Sequence, residues 1–180
     1  MFHIFDLSLQ LNGYPMKDAR REFDKIQSLT PTEYEDYVIK RKNEIVAFHF
    51  KNNASYKNLV GETIPDAWHK LPIMTKRDFQ KPLTERLSKG YNLNNVYVNK
   101  TSGSSGDPFV FAKDKFSHAL TWVNIFNRFG WFGIDFNSSL QARFYGIPLD
   151  FWGNKKERFK DFLGHRYRFP IFDLSDVVLE

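Results

Sequence analysis

The chain has 180 residues, with 26 Lys and Arg against 21 Asp and Glu, for a formal net charge of +5. Hydrophobic residues make up 42% and charged residues 26%, a globular balance that excludes a disordered polar tract. No Cys is present, which excludes a disulfide framework, a thiolate metal site and a cysteine nucleophile; no apolar run reaches about 18 residues, so no transmembrane helix is expected.

Aromatic residues reach 17%, with 19 Phe, so much of the core must be aromatic. The start, Met1-Phe2-His3-Ile4-Phe5-Asp6, lacks a basic leader region and carries an early acid, which predicts a cytoplasmic protein rather than a secreted one. The positive charge permits contact with phosphates, nucleic acid or anionic lipid, but at this size it reads as an ordinary basic surface.

In chain order, Met16, Ala19, Phe23 and Ile26 recur at helical spacing. Thr30-Pro31-Thr32-Glu33 then predicts a helix start: Thr30 caps, Pro31 suits the first helical position and Glu33 completes a capping box. Tyr34, Tyr37, Val38, Arg41, Ile45 and Phe48 follow one face of that helix, and Asn52-Asn53 ends it. Gly61 and Pro65 mark a loop. Leu71-Pro72-Ile73-Met74 reads as extended, because the residue before a proline disfavours helix, and Thr75 caps a short helix from Lys76. Asn95 to Asn99 alternates like a strand, Phe109 to Ala112 reads as a second strand, and Thr101 to Pro108 lies between them as a Gly/Ser loop. Asp114 caps a helix carrying Phe116, Ala119, Leu120, Val123 and Phe126 on one face and ending at Gly130. Leu140 to Tyr145 is a further strand, and Lys155 to Leu163 a basic amphipathic helix. The fold class is therefore α/β (mixed), with residues 1–90 mainly helical and 91–180 carrying strands, helices and the 101–108 loop.

That loop, Thr101-Ser102-Gly103-Ser104-Ser105-Gly106-Asp107-Pro108, holds most of the chemistry. Its side chains are too small to pack as a core strand. Gly103 and Gly106 let successive backbone N–H groups turn inward as an anion nest, and the Thr and Ser hydroxyls add donors. Neither the G-x-x-x-x-G-K-[ST] spacing of a nucleotide-triphosphatase loop nor the dinucleotide G-x-G-x-x-G is present. A flexible Ser/Gly hairpin is the alternative that composition alone leaves open.

The segment T-S-G-S-S-G-D-P resembles the phosphate loop of adenylate-forming enzymes, the acyl-CoA synthetase superfamily. Phe48-His49 through Asn53 with Tyr56, and Leu71-Pro72-Ile73-Met74-Thr75-Lys76-Arg77-Asp78-Phe79, are similar to segments of its phenylacetate–CoA ligase-like members. Arg168-Phe169-Pro170-Ile171-Phe172-Asp173-Leu174-Ser175 resembles the F-D-L-S stretch of their capsular-polysaccharide-biosynthesis branch. The resemblance implies a two-step ligase. A carboxylate attacks the α-phosphorus of ATP to give an acyl-adenylate and pyrophosphate, and a thiol such as CoA, or an amine, then takes the acyl group. It implies that Thr101, Ser102, Gly103, Ser104, Ser105 and Gly106 cradle the β- and γ-phosphates, with Mg²⁺ bridging phosphate oxygens. Phe109 follows the motif's Pro108, where many superfamily members carry Lys; Lys100 or Lys113 is the candidate replacement charge. The family's adenine, ribose and acyl-pocket motifs and its mobile lysine are expected beyond Glu180. The chain then corresponds to an N-terminal portion, partnered by the C-terminal part and inactive by itself. The resemblance assigns no catalytic residue here.

The remaining constellations are weaker. His3, His49, His69, His118 and His165 are scattered without metal-ligand spacing, so no metal site is predicted; His118 reads as a packing residue that could approach a ligand. Ser104 lacks the spacing of a hydrolase nucleophile. Trp122, Phe126, Phe129, Trp131 and Phe132 read as core. Lys155, Lys156, Arg158, Lys160, Arg166 and Arg168, with Tyr167 and Phe169, could touch RNA, but the sequence motifs of RNA modules are missing and no specific nucleic-acid partner is expected. Two other functions stand beside the ligase: a non-catalytic phosphate-binding or scaffold module, and a basic nucleic-acid-binding protein.

Overall fold

The computed structural model of the chain describes residues 4–101, 108–145, 158, 161–162 and 164–170. Helices and strands are mixed, as expected: α1 (Ile4–Leu11), α2 (Met16–Gln27), α3 (Pro31–Asn52), α4 (Ala54–Val60), α5 (Leu83–Arg86) and α6 (Lys115–Gly130), with β1 (Val96–Lys100), β2 (Val110–Asp114), β3 (Gln141–Tyr145) and β4 (Arg166–Pro170). No helix among the described residues is long and apolar enough to cross a membrane. The chain forms two compact units: residues 18–118, and residues 1–17 with 119–180.

In the 18–118 unit, the Thr30 capping box forms as the sequence predicts. Thr30 Oγ1 accepts the Glu33 N–H, and Glu33 Oε2 accepts the Thr30 N–H at 2.8 Å. The Thr30 N–H first, and then its hydroxyl, both donating to Glu33 Oε2, hold the Glu33 carboxyl below its usual pKa. The 22 residues of α3 end at Asn52, and Asn53 turns the chain directly into α4. The face of α3 that carries Tyr34, Ile45 and Phe48 is only partly covered. Val46 is the buried residue of α3, whereas Tyr34, Ile45 and Phe48 are exposed to 49%, 48% and 36%. Ile45 and Phe48 border an open cleft instead of a packed core. Glycine at 61 ends α4 with φ +103, a conformation that a side chain would strain.

Leu71 is extended, as its following proline demands. The short helix expected after Thr75 forms as a 3₁₀ helix, Lys76–Phe79. Asp78 Oδ2 closes it by accepting both the N–H and the hydroxyl of Thr75, at 2.6 and 2.8 Å. Strands β1 and β2 pair antiparallel from Val96↔Asp114 to Lys100↔Val110. Asp114 then starts α6 by accepting the Ser117 N–H at 2.7 Å.

The other unit is built on rings. Phe136, 4% exposed, lies 5.0 to 6.1 Å between centroids from Phe5, Trp122, Phe126 and Phe129. The Phe5 N–H donates to Asn137 Oδ1 at 3.1 Å, and the Arg166 guanidinium lies 4.6 Å from the Phe5 ring centre. Trp131 and Phe132, expected in this core, are 72% and 79% exposed; the helix ends at Gly130 and carries them past the cluster. β3 and β4 pair in parallel from Gln141↔Arg166 to Tyr145↔Pro170. Arg158, Asp161 and Phe162 of the predicted basic helix are helical; its Lys155, Lys156 and Lys160, and the Phe172-Asp173-Leu174-Ser175 stretch, lie outside the described residues.

Phe136→Ala removes the ring that four others touch, and such large-to-small changes cost about 3–5 kcal/mol. Trp131→Ala, at an exposed position, stays within about 0.5 kcal/mol. Urea unfolding of both variants checks the ring core; equal losses would contradict it.

Candidate functional site

The neck of the Gly/Ser loop is a mixed pair. Thr101 gives its N–H to the Phe109 carbonyl at 2.9 Å, continuing the ladder one step past Lys100↔Val110. The return bond from the Phe109 N–H goes to Thr101 Oγ1, also at 2.9 Å, instead of to the Thr101 carbonyl. A serine or threonine hydroxyl here both closes the hairpin and ends its regular pairing. Thr101 is thus a neck residue. Ser102, Gly103, Ser104, Ser105 and Gly106 lie outside the described residues, as does Asp107.

At the exit of the loop, Lys76, Phe79, Lys81, Pro82, Arg86 and Pro108 border a recess of about 440 Å³. Arg86 is fixed within it. Its Nε donates to the Lys81 carbonyl at 2.8 Å, its Nη2 to the Val110 carbonyl at 2.7 Å, and its guanidinium lies 5.6 Å from the Phe109 ring centre. Burial lowers the Arg86 pKa, but a guanidinium stays charged at any physiological pH. The loop therefore leaves the hairpin beside fixed positive charge. Of the two candidate replacement lysines, Lys100 is exposed at the end of β1, and Lys113 stands opposite Tyr97 on β2.

A second, larger cleft of about 810 Å³ opens between α3, α4, the 3₁₀ turn, α5 and the strands of the same unit. A buried polar junction lines it. Asn53 Oδ1 accepts the Tyr56 N–H at 2.9 Å, which fixes the amide orientation. Asn53 Nδ2 then donates to the Arg86 carbonyl at 2.7 Å and to Ser88 Oγ at 3.2 Å. Ser88 Oγ meets His49 Nδ1 at 2.9 Å. Asn53 donates to the Ser88 oxygen, and His49 Nδ1 is the acceptor within reach of the buried Ser88 hydroxyl proton among the described residues; satisfying that proton puts it on the bond to Nδ1 and leaves the imidazole neutral with its own proton on Nε2. Burial pushes the His49 pKa down, in agreement with that state. Elsewhere in the unit, His118 is buried and stacks on Tyr97 with 3.6 Å between ring centres. Burial first, and then the Lys113 charge, lower its pKa, which is the packing role expected of it.

No family model, curated protein or solved structure matches the chain. What bears on function is the geometry of the loop neck and the two recesses. Ser88 and His49 do not form a nucleophile pair: the serine is 6% exposed, and no carboxylate bonds to the imidazole among the described residues. No signal in the sequence joins His49 to Ser88 across 39 positions. The sequence marks Asn53 as a helix end and the 48–53 stretch as a family-like segment, and neither points to Ser88.

Both lowered imidazoles set a sign for the pH dependence of stability. Unfolded imidazoles take up protons near pH 6.5, whereas folded His49 and His118 take them up only at lower pH. Their contribution is complete above about pH 6.5 and is lost as pH falls through their folded values. Glu33 and Asp78, also lowered, act in the more acidic range of carboxylates. The urea midpoint is therefore expected to drop between about pH 7 and pH 5, with a shallower drop in a His49→Gln/His118→Phe variant. An equal slope in the two proteins would contradict this assignment.

Proposed function

We propose that the chain is the N-terminal part of an ATP-dependent carboxylate-activating ligase of the phenylacetate–CoA ligase-like kind. The loop of Thr101, Ser102, Gly103, Ser104, Ser105 and Gly106 holds the β- and γ-phosphates. The single observation that carries this reading is the loop's setting. It links two antiparallel strands through the Thr101–Phe109 neck, where a P-loop triphosphatase or a dinucleotide fold would pass from strand to helix. The cations beside Pro108 and Phe109 support it further, because an anion bound at the loop would lie near positive charge.

In this proposal the chain's residues act by positioning and electrostatics. Backbone N–H groups freed by Gly103 and Gly106, with the serine hydroxyls, donate to phosphate oxygens and stabilise charge that builds on departing pyrophosphate. Arg86 keeps the loop exit in place through its bond to the Val110 carbonyl. Among the described residues no three His, Asp or Glu side chains converge on a metal site. A Mg²⁺ ion bound with the phosphates would neutralise part of their charge. CoA, or another acceptor of the acyl group, is assigned no residue.

Titration of the isotope-labelled chain with pyrophosphate and Mg²⁺ tests the loop directly. Amide shifts are expected to concentrate on residues 102–106. Gly103→Val, which puts a branched side chain where the backbone must approach phosphate, is expected to weaken binding about tenfold or more. Shifts elsewhere, or unchanged affinity in the variant, would contradict the cradle. The ligase step is read by acid-dependent ATP–pyrophosphate exchange: absent for these 180 residues alone and present when the downstream reading frame is joined to them. Exchange by the short chain, or none by the long one, would contradict the proposal.

A further inference from the structure

We propose that the large cleft of the 18–118 unit binds an uncharged, flat aromatic molecule carrying one hydrogen-bond acceptor, which the Nε2–H of His49 receives. This goes beyond the ligase reading and does not rest on it.

Three observations lead to that ligand. The first is size and lining. A volume of about 810 Å³ lies within the range of small-molecule sites, roughly 300–1,000 Å³. Phe48, Tyr56, Phe79, Tyr91, Phe109 and Phe111 supply its rings. Phe48 stands edge-on to both His49 and Tyr91, with centroids 5.3 and 6.3 Å apart, so ring faces and edges are available to a flat guest. Ile45 and Phe48 hold their apolar surface open to solvent at the cleft, which a bound ring would cover.

The second observation is charge. Arg41, Arg86 and Lys113 line the cleft against Glu44, Asp78 and Asp114, so formal charge cancels. Most of these groups are already bonded. Arg41 pairs with Glu44 at 2.8 Å, and Arg86 donates to two backbone carbonyls. Asp78 and Asp114 each accept from a backbone N–H and a hydroxyl at the start of their own helical turn. A charged ligand would have to break one of these arrangements and lose its own hydration; an uncharged one would not.

The third is the buried junction. Asn53 orients Ser88, and Ser88 occupies His49 Nδ1, so Nε2–H is the polar group of the ring left for a guest. A fixed donor beside aromatic walls selects a carbonyl or ether acceptor on an aromatic body.

Titration of the labelled chain with 2-naphthamide, 2-methylnaphthalene and 2-naphthoate tests the proposal. Saturable amide shifts at Phe48, Ser88 and Tyr91 are expected with 2-naphthamide, and weaker binding of the charged 2-naphthoate. His49→Phe keeps a ring but removes the donor, and is expected to weaken 2-naphthamide about tenfold while leaving 2-methylnaphthalene unchanged. Ile45→Trp, at an exposed position that borders the cleft, should obstruct all three probes without touching the junction. The ring ¹⁵N signal of His49 in the native chain gives a readout that needs no variant: 2-naphthamide should shift Nε2 and leave Nδ1 in place. Absence of saturable binding, tighter binding of 2-naphthoate, unchanged 2-naphthamide affinity in either variant, or an Nε2 signal that does not respond would overturn the proposal. Pyrophosphate binding at the loop is independent of all these outcomes, so failure here and failure of the ligase reading are separate results.

Discussion

The carboxamide of Asn53 is the interaction on which the 18–118 unit depends. It is 8% exposed, and a buried amide left unbonded costs about 1–3 kcal/mol per group. Its oxygen caps α4 at Tyr56, and its nitrogen divides between the Arg86 carbonyl and Ser88 Oγ. One residue therefore ends α3 through its backbone N–H, which donates to the His49 carbonyl, while its side chain begins α4 and holds a segment more than 30 positions away. The Lys89 N–H reinforces this by donating to the Asn52 carbonyl at 2.6 Å.

From there the constraint passes to the loop. Asn53 holds the backbone of Arg86, and the Arg86 guanidinium reaches the Val110 carbonyl at the start of β2. Val110 faces Lys100 in the ladder, and the next step out is the Thr101–Phe109 neck. The same amide thus orders the donor in the aromatic cleft and, through Arg86, steadies the strand that leaves the Gly/Ser loop. Rigid elements that hold a loop at its neck are what a phosphate cradle requires, because misplacement of a bound group by about 1 Å can cost a hundredfold in rate.

Local chemistry was legible in the sequence, and long-range pairing was not. Thr30, Pro31 and Glu33 announce the start of α3 because a capping box involves four consecutive residues. Asp114 and Gly130 bracket α6 for similar reasons, and the alternation around Val96 to Asn99 marks β1. By contrast, α1 carries Leu7, Leu9 and Leu11 at every second position, a pattern with no helical period; only Leu9 of the three is buried. In the sequence β4 reads as part of a basic stretch, because the charge of Arg166 and Arg168 is more conspicuous than the alternation around Tyr167. Its pairing with β3 makes it a strand. Helical spacing predicts Trp131 and Phe132 in the core, yet they follow the glycine that ends their helix. Of the candidate site, the loop residues were legible as small and hydroxylic. The His49–Ser88–Asn53 junction was not, since it exists only after α3, α4 and the chain beyond α5 have met.

A double-mutant cycle on Asn53→Ala and Ser88→Ala, read as unfolding free energy, tests the central claim most directly. If the Asn53 amide and the Ser88 hydroxyl form one satisfied buried junction, the second substitution should cost less once the first has been made. The expected coupling is about 0.5–3 kcal/mol. Additivity within about 0.3–0.5 kcal/mol would show that the two side chains act separately, and would contradict the account of how this unit holds its cleft and its loop.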